Sequence, residues 1–477
     1  MKFGGLINTY HFIGVGGIGM SGLAELLVRQ GMRVSGSDLA EGAITRRLAD
    51  LGVRVHLGHR AENLGGADVV VHSTAVKEDN PELAAARARG LSVLRRGEML
   101  ARLMEGHTQV AVTGMHGKTS TTAMTAAVLR AGGLDPTVVV GSVWDAVGSN
   151  AVLGRGDYFV AESDESDGSF ALLSPEITII TNLDREHLDY YRDLDHIQEM
   201  FAAYLQQLPS GARVIACADD PHLAPVLQDC PRPVITYSLT PGAADFWATD
   251  LEPQGLGVRF KLFHRGHDLG TMTLPLAGAH YVLNAMAAAA VGHNLGLEAP
   301  VWRQGLQNLG QIQRRLQVKG EAQGVLVLDD YGHHPAEIRA TLAGLAQAFP
   351  ERRLVVVFQP HRYSRTQALL PDFFPVFEQA GVVLVTEIYS AGEGRRDGVS
   401  GRAVYDGIRR SGHPGAHFIE ENAALTDEIC GRLRAGDLVL TLGAGDIWKT
   451  GEDLLARLEN QAARLNVHEP EMFHHRG

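Results

Sequence analysis

Short apolar runs alternate along this chain with longer amphipathic stretches, and the alternation restarts twice. Apolar runs at 10–14, 32–36 and 68–72 predict strands, with helices over 18–30 and 41–51 between them. That βαβαβ order predicts a doubly wound parallel sheet. The pattern resets near 103–108. A second unit opens with a strand at 109–113 and a helix at 117–131, followed by strands at 157–161, 176–181 and 212–216. It ends in an alanine-rich helix over 284–291, which follows a loop at 278–280, and runs to about residue 316. A third unit has strands at 325–329, 353–358, 382–386 and 437–441, with helices between them. The divisions expected are therefore 1–106, 107–316 and 317–477. The last ten or so residues, ending His474-His475-Arg476-Gly477, predict a frayed polar tail.

Composition narrows the class. With 477 residues, more than one core is needed. Hydrophobic content of 45% and charged content of 21% fit a soluble globular protein. A formal charge of −12 leaves no basic surplus for a nucleic-acid partner. Cys217, Cys230 and Cys430 have no paired spacing, which suits a reducing compartment and disfavours a disulfide framework or a zinc site. Met1 to Tyr10 do not read as a signal peptide, and no apolar run reaches the length of a membrane helix. A cytoplasmic protein, monomeric or weakly dimeric and without membrane insertion, is expected.

Two glycine loops carry the candidate chemistry. Gly14, Gly16, Gly17, Ile18 and Gly19 form a G-x-G-x-x-G string between a strand and a helix, and Asp38 follows at the spacing of a ribose-binding acid. Taken alone, this string reads as a dinucleotide site of an oxidoreductase. Ser73 and Thr74, past the third strand, either touch the same ligand or cap the next helix. The second loop is different. Gly114, His116, Gly117, Lys118, Thr119 and Ser120 stand in Gly-Met-His-Gly-Lys-Thr-Ser-Thr, a shortened P-loop with Val112 where the strict motif has its first glycine. Backbone N–H groups there cradle phosphates, Lys118 meets the terminal phosphate and the Thr119 hydroxyl suits Mg²⁺. Hydride transfer has no use for such a loop.

Acids and imidazoles cluster past later strands. Glu162, Asp164, Glu165 and Asp167 follow the 157–161 strand as magnesium ligands or as a solvated acidic loop. His187 lies past the next strand, as a metal or phosphate contact. In the third unit, Asp330, Tyr331, His333 and His334 come off one strand end and Gln359, His361, Arg362 and Arg365 off another, read as adjacent. Arg362 and Arg365 suit a bidentate carboxylate clamp.

With these strings assembled, the chain resembles the Mur ligases over nearly its whole length. The strings are GVGGIGMSG from Gly14, ESDESD from Glu162 and DDYGHHP ending at Pro335. The resemblance implies an α/β protein of three domains: an N-terminal Rossmann-like parallel sheet for a UDP-sugar, a central P-loop-type ATPase domain, and a C-terminal Rossmann-like α/β domain completing the ATP and amino-acid sites. Within the family it points to the branch that adds L-alanine to UDP-N-acetylmuramate, with ATP and two Mg²⁺ ions as cofactors. The neighbouring branch, which adds a peptide to the same sugar nucleotide, is the alternative. The resemblance further implies Lys118 on the γ-phosphate, Thr119 and Glu162 on one Mg²⁺, and His187 on a second. Asn284 falls to the adenine, Arg315 to the phosphates and Asp330 to the ribose. Tyr331 and Arg365 take the alanine carboxylate, with His334 and Arg362 nearby. Many relatives have an Asn where Tyr281 stands, so ring stacking replaces an amide contact there. No lysine lies between Lys118 and Lys261, so a carbamoylated lysine, used by several relatives, is excluded in the usual place.

Overall fold

The computed structural model describes residues 9–420 and 422–467. The polar tail at 474–477 and most of the N-terminal segment considered as a leader lie outside the described residues. Three sheets follow one another along the chain. The first is fully parallel, in the order Arg54–Leu57, Arg33–Asp38, Thr9–Ile13, Val69–His72, Ser92–Arg95. Crossover helices on its faces require strands that are apolar throughout, and Val69–His72 is buried at every position.

The central sheet has ten strands. Thr108–Thr113 lies in its middle, flanked in parallel by Tyr158–Glu162 and Ile177–Ile180. Register aligns Val112 with both Glu162 and Ile179. The segments that leave these three strands therefore converge at one sheet edge. Helices Lys118–Ala131 and Ala279–Asn294 pack together beneath it. The second is buried nearly all round, including Ala285 through Ala290, so the alanines allow close approach. The sheet ends in an antiparallel meander, Phe246–Gln254, Gly257–His264 and His267–Leu274. Its opposite edge is the hairpin Thr137–Trp144 and Ser149–Val152.

The third sheet runs Gln317–Ala322, Val325–Asp330, Leu438–Leu442, Leu354–Phe358, Val382–Val385, Ala416–Phe418, with only the first strand antiparallel. The strands before Asp330 and Gln359 are thus not adjacent, contrary to the sequence expectation. Leu438–Leu442 inserts between them, and the order reverses there, which opens a crevice at the carboxyl ends. A second correction concerns 278–280. The helix already starts at Ala279, so His280 and Tyr281 belong to its first turn. Gly278 supplies the positive φ of +118° needed just before it.

Polar contacts join the units. Glu25, fully buried, accepts from Arg47 Nη1 at 2.8 Å and from Ser149 Oγ at 2.7 Å, and Arg47 Nη2 reaches Asn150 Oδ1 at 2.9 Å. The first unit is thereby fixed to the hairpin of the second. No helix among the described residues is long and apolar enough to cross a membrane.

Candidate active site

The second glycine loop is held from below by the neighbouring strand end. Met115 N donates to Asn182 O at 3.1 Å, His116 N to Asn182 Oδ1 at 2.8 Å, and Thr181 Oγ1 to His116 O at 2.7 Å. Gly114 has φ +118°, and a Cβ there would collide with Thr181 Oγ1 and lie 2.9 Å from Asn182 O. Gly117 has φ +80°, and its Cβ would meet Asn284 Oδ1 at 2.8 Å. Only glycine permits this close approach. Lys118 Nζ donates to Gly114 O at 2.7 Å, Met115 O at 3.1 Å and Glu165 Oε1 at 2.6 Å. Burial opposes its charge, but Glu165 and Glu162 outweigh burial and raise its pKa.

The acids stand where the strand register puts them. Thr119 Oγ1 donates to Glu162 Oε1 at 3.1 Å, and Gly141 N donates to Glu162 Oε2 at 2.6 Å. Burial pushes the Glu162 carboxyl up, against Lys118 and Arg315. His187 Nε2 lies 3.1 Å from Glu165 Oε1. Cis ligands on an octahedral magnesium are about 3 Å apart, given bonds of about 2.1 Å. Both donor pairs, Thr119 with Glu162 and His187 with Glu165, have that spacing. Glu165 Oε2 is buried with no hydrogen-bond partner among the described residues. The donor set therefore fits hard divalent cations.

Arg315, at the boundary with the third unit, lies with its Nη2 3.2 Å from Thr119 Oγ1 and its guanidinium 5.0 Å from the Tyr331 ring centroid. Arg314 and Leu316, on either side, have φ of +61° and +43°. Two non-glycine residues in the left-handed region mark a constrained crossing point. Asp330 accepts from Leu316 N at 2.9 Å and Gly332 N at 2.8 Å, and burial raises its pKa to about 6.

His116 bridges two units. Its Nε2 lies 2.9 Å from Asp184 Oδ2 and its Nδ1 3.4 Å from Glu337 Oε1. Burial works against its charge, but these carboxylates hold its pKa up at about 10. His334 has a structural task. Its Nδ1 accepts from Ala336 N at 3.2 Å, capping helix Pro335–Ala348. Burial, and then the His116 cation beside it, lower its pKa. Arg365 is also engaged: its Nε and Nη2 reach Glu186 Oε1 at 2.9 and 2.8 Å. Arg362 is looser, with Nη1 3.4 Å from exposed Asp189.

Two cavities meet at this edge. One, about 380 Å³, is lined by His116, Gly117, Ser120, Tyr281, Asn284, Arg315 and Asp330. Tyr281 and His280 have ring centroids 4.1 Å apart there. The larger, about 1050 Å³, is bounded by Gly14, Gly17, Ile18, Gly19, Ser73 and Thr74 at one end. Lys118, Glu162 and His187 form its middle, and Tyr331, Arg362 and Arg365 its far wall. Gly16 and Asp38 lie behind the first loop instead. Asp38 Oδ2 accepts from Gly16 N and Oδ1 from Leu39 N, each at 2.8 Å, so its carboxylate braces the loop. Gly114 and His334 likewise support the walls rather than line them.

Sequence reasoning placed Glu165 only within the acid cluster after the 157–161 strand and gave no site role to Asp184, Glu186 or Glu337. Glu337 was within reach: with His334 at N-cap and Pro335 at N1, an acid at N3 completes a capping box. Asp184 and Glu186 carried no signal beyond being acids near His187.

Comparison with known proteins identifies the family. Family models match for the Mur ligase family catalytic domain over residues 9–108, the Mur ligase middle domain over 112–292, and the Mur ligase glutamate ligase domain over 314–445. The UDP-N-acetylmuramate–L-alanine ligase of Syntrophobacter fumaroxidans is 50% identical over 451 residues, 94% of this chain and 96% of the relative. That of Desulfosudis oleivorans is 49% identical over 95% of this chain and 99% of the relative. The crystal structure of the UDP-N-acetylmuramate–alanine ligase from Thermotoga maritima superposes with a TM-score of 0.81 at 29% identity, covering 95% and 99% of the two chains. A murein peptide ligase from Psychrobacter arcticus shares the fold, with a TM-score of 0.73 at 24% identity over 95% and 99%.

Proposed function

The chain belongs to the Mur ligase family, and from that premise we propose how its cleft works. The protein is an ATP-dependent amide-forming ligase that joins L-alanine to the lactyl carboxylate of UDP-N-acetylmuramate, a step of peptidoglycan synthesis. The observation that carries the reading is the continuous 1050 Å³ cleft, which puts both glycine loops and the third-unit arginines around one space. A sugar nucleotide on the first loop and a triphosphate on the second then present acid and γ-phosphate to each other.

The lactyl carboxylate oxygen attacks the γ-phosphorus, and the bond to the β-bridging oxygen breaks. ADP leaves and an acyl phosphate forms. The alanine amine, having lost a proton, attacks the acyl carbon. The tetrahedral adduct expels phosphate, leaving the amide. Lys118 holds the γ-phosphoryl group, and Arg315 supplies a second positive charge from the unit boundary. Both act by position and charge, with little covalent participation by the protein. The nucleoside occupies the 380 Å³ cavity, where Asp330 faces the ribose and Tyr281 and Asn284 the base. Tyr331 and Arg365 receive the alanine carboxylate, once Arg365 exchanges Glu186 for it; Arg362 stands at the same wall. Thr119 with Glu162, and His187, are the residues that would hold divalent cations, two in number, whose charge would offset that of phosphate and carboxylate. Reaction in the cytoplasm by a monomer or weak homodimer completes the reading.

ADP release, followed as each co-substrate is omitted, tests it. Release should require both alanine and the sugar nucleotide, and a tripeptide should not replace alanine. Equal turnover with tripeptide would transfer the protein to the peptide-adding branch.

A further inference from the structure

Glu165 is a cleft acid to which the roles above give no task. It is completely buried, yet its two oxygens are treated differently. Oε1 contacts Lys118 Nζ at 2.6 Å and His187 Nε2 at 3.1 Å. Oε2 has no hydrogen-bond partner among the described residues. The backbone beneath is fixed, since Glu165 O accepts from Tyr191 OH at 2.6 Å and from Gly168 N at 3.0 Å. Buried Tyr191 thus anchors the residue so that its side chain stays between the lysine and the histidine.

Lys118 has three donors, and all are used: two on loop carbonyls and one on Glu165. A γ-phosphate on the loop must draw Nζ away from at least one of them. Removing the ammonium from Glu165 would leave a buried carboxylate facing only an imidazole. An uncompensated buried charge is strongly unfavourable, so another positive charge has to arrive. The Glu165–His187 spacing is that of two cis ligands on one octahedral cation, about 3 Å.

We propose that Glu165 is an exchangeable carboxylate: it pairs with Lys118 until nucleotide draws the lysine away, and then ligates the divalent cation at His187. Lys118 and that cation compete for one carboxylate. Nucleotide binding therefore creates the second cation site, and the two cations load in order. This rests on the reading of His187 as a cation ligand, and the test separates the two.

The experiment is a Mn²⁺ titration of the full chain, followed by electron paramagnetic resonance, with and without a non-hydrolysable ATP analogue. The wild type should bind a second Mn²⁺ tightly only with the analogue. Glu165→Gln should weaken that second ion by about tenfold or more, the loss that even an outer-shell partner causes, and leave the first unchanged. Lys118→Met should acquire the second ion without any nucleotide. Thermal unfolding confirms that each variant is folded, and if Glu165→Gln is not, Lys118→Met decides alone. A second Mn²⁺ that survives Glu165→Gln but is lost in His187→Ala would overturn the role of Glu165 and keep that of His187. Its survival in His187→Ala would overturn the cation reading itself. Lack of nucleotide-independent binding in Lys118→Met would overturn the competition.

Discussion

The two glycine loops of this protein line one cleft, the first at its end and the second in its middle, and are built on opposite principles. Around the first, the nearest acid is spent on the backbone, Asp38 holding Gly16 N, and no lysine lies in the loop. The loop offers N–H groups and little else. Around the second, charged side chains crowd in mutually held pairs: Lys118 with Glu165, His116 with Asp184 and Glu337, Arg365 with Glu186. A surface that must bind a diphosphate can be neutral and rigid. One that must transfer a phosphoryl group needs formal charges that change partners, and pairs in a buried setting keep them available at modest cost.

The strongest way to break this contrast is Lys118→Ala. Alanine-dependent ADP release should fall below detection, while binding of the sugar nucleotide, measured by calorimetry, persists near the wild-type affinity. Loss of both together would mean that the loops do not divide the ligands between them.

Backbone geometry gives the next largest difference. A Cβ at Gly14 meets nothing within 4 Å, so Gly14→Ala carries only the left-handed φ of +79°. Its expected cost is about 1–2 kcal/mol. Gly114→Ala adds a clash with Thr181 and Asn182, for a cost of about 3 kcal/mol or more. Thermal unfolding of the two variants should rank them in that order, and equal melting temperatures would contradict the close approach described for the second loop.

The smallest effect is a matter of pH, and only the second loop is sensitive on the alkaline side through His116. Glu82 lies behind the first loop. Burial works to raise its pKa, but the His11 ring 3.5 Å away and hydrogen bonds from Ser37 and Asn63 outweigh this and bring it to about 2. Its contribution is complete above the ordinary 4.5 and is lost as pH falls toward 2. His116, raised to about 10 by Asp184 and Glu337 against burial, contributes fully below 6.5 and loses that contribution as pH rises through 10. Asp184 is likewise held at about 2, so acid acts on both regions. Hydrogen exchange should thus show alkali loosening the contact between 114–120 and helix Pro335–Ala348 while the segment around Ser37 stays protected. Equal loosening of both in alkali would remove the electrostatic half of the contrast.

Much of this was legible in the sequence. The parallel strands around each loop were buried on both faces and read as unbroken apolar runs, so Thr9–Ile13, Thr108–Thr113 and Ile177–Ile180 emerged within a residue or two. Short edge strands did not. Arg54–Leu57 and Ser92–Arg95 are half-buried in the middle and exposed at both ends, and no apolar run marks them. The insertion of Leu438–Leu442 between two earlier strands is a tertiary fact that local pattern does not encode. At the site, residues within a motif were placed by the motif: Lys118, Thr119 and Glu162 converge as their strand ends require. Pairings across the boundary, such as Arg365 with Glu186, are set by how two sheets face each other. No spacing along the chain reports that.

The hairpin Thr137–Trp144 and Ser149–Val152 deserves a last physical consequence. At its tip end Ser149 and Asn150 are clasped by Glu25 and Arg47 of the front unit, and at Gly141 the same ribbon grips Glu162. It is a strut: one ribbon is bonded to the front unit near its tip and to Glu162 at Gly141, so any tilt of the front unit against the second would have to strain one of these two attachments.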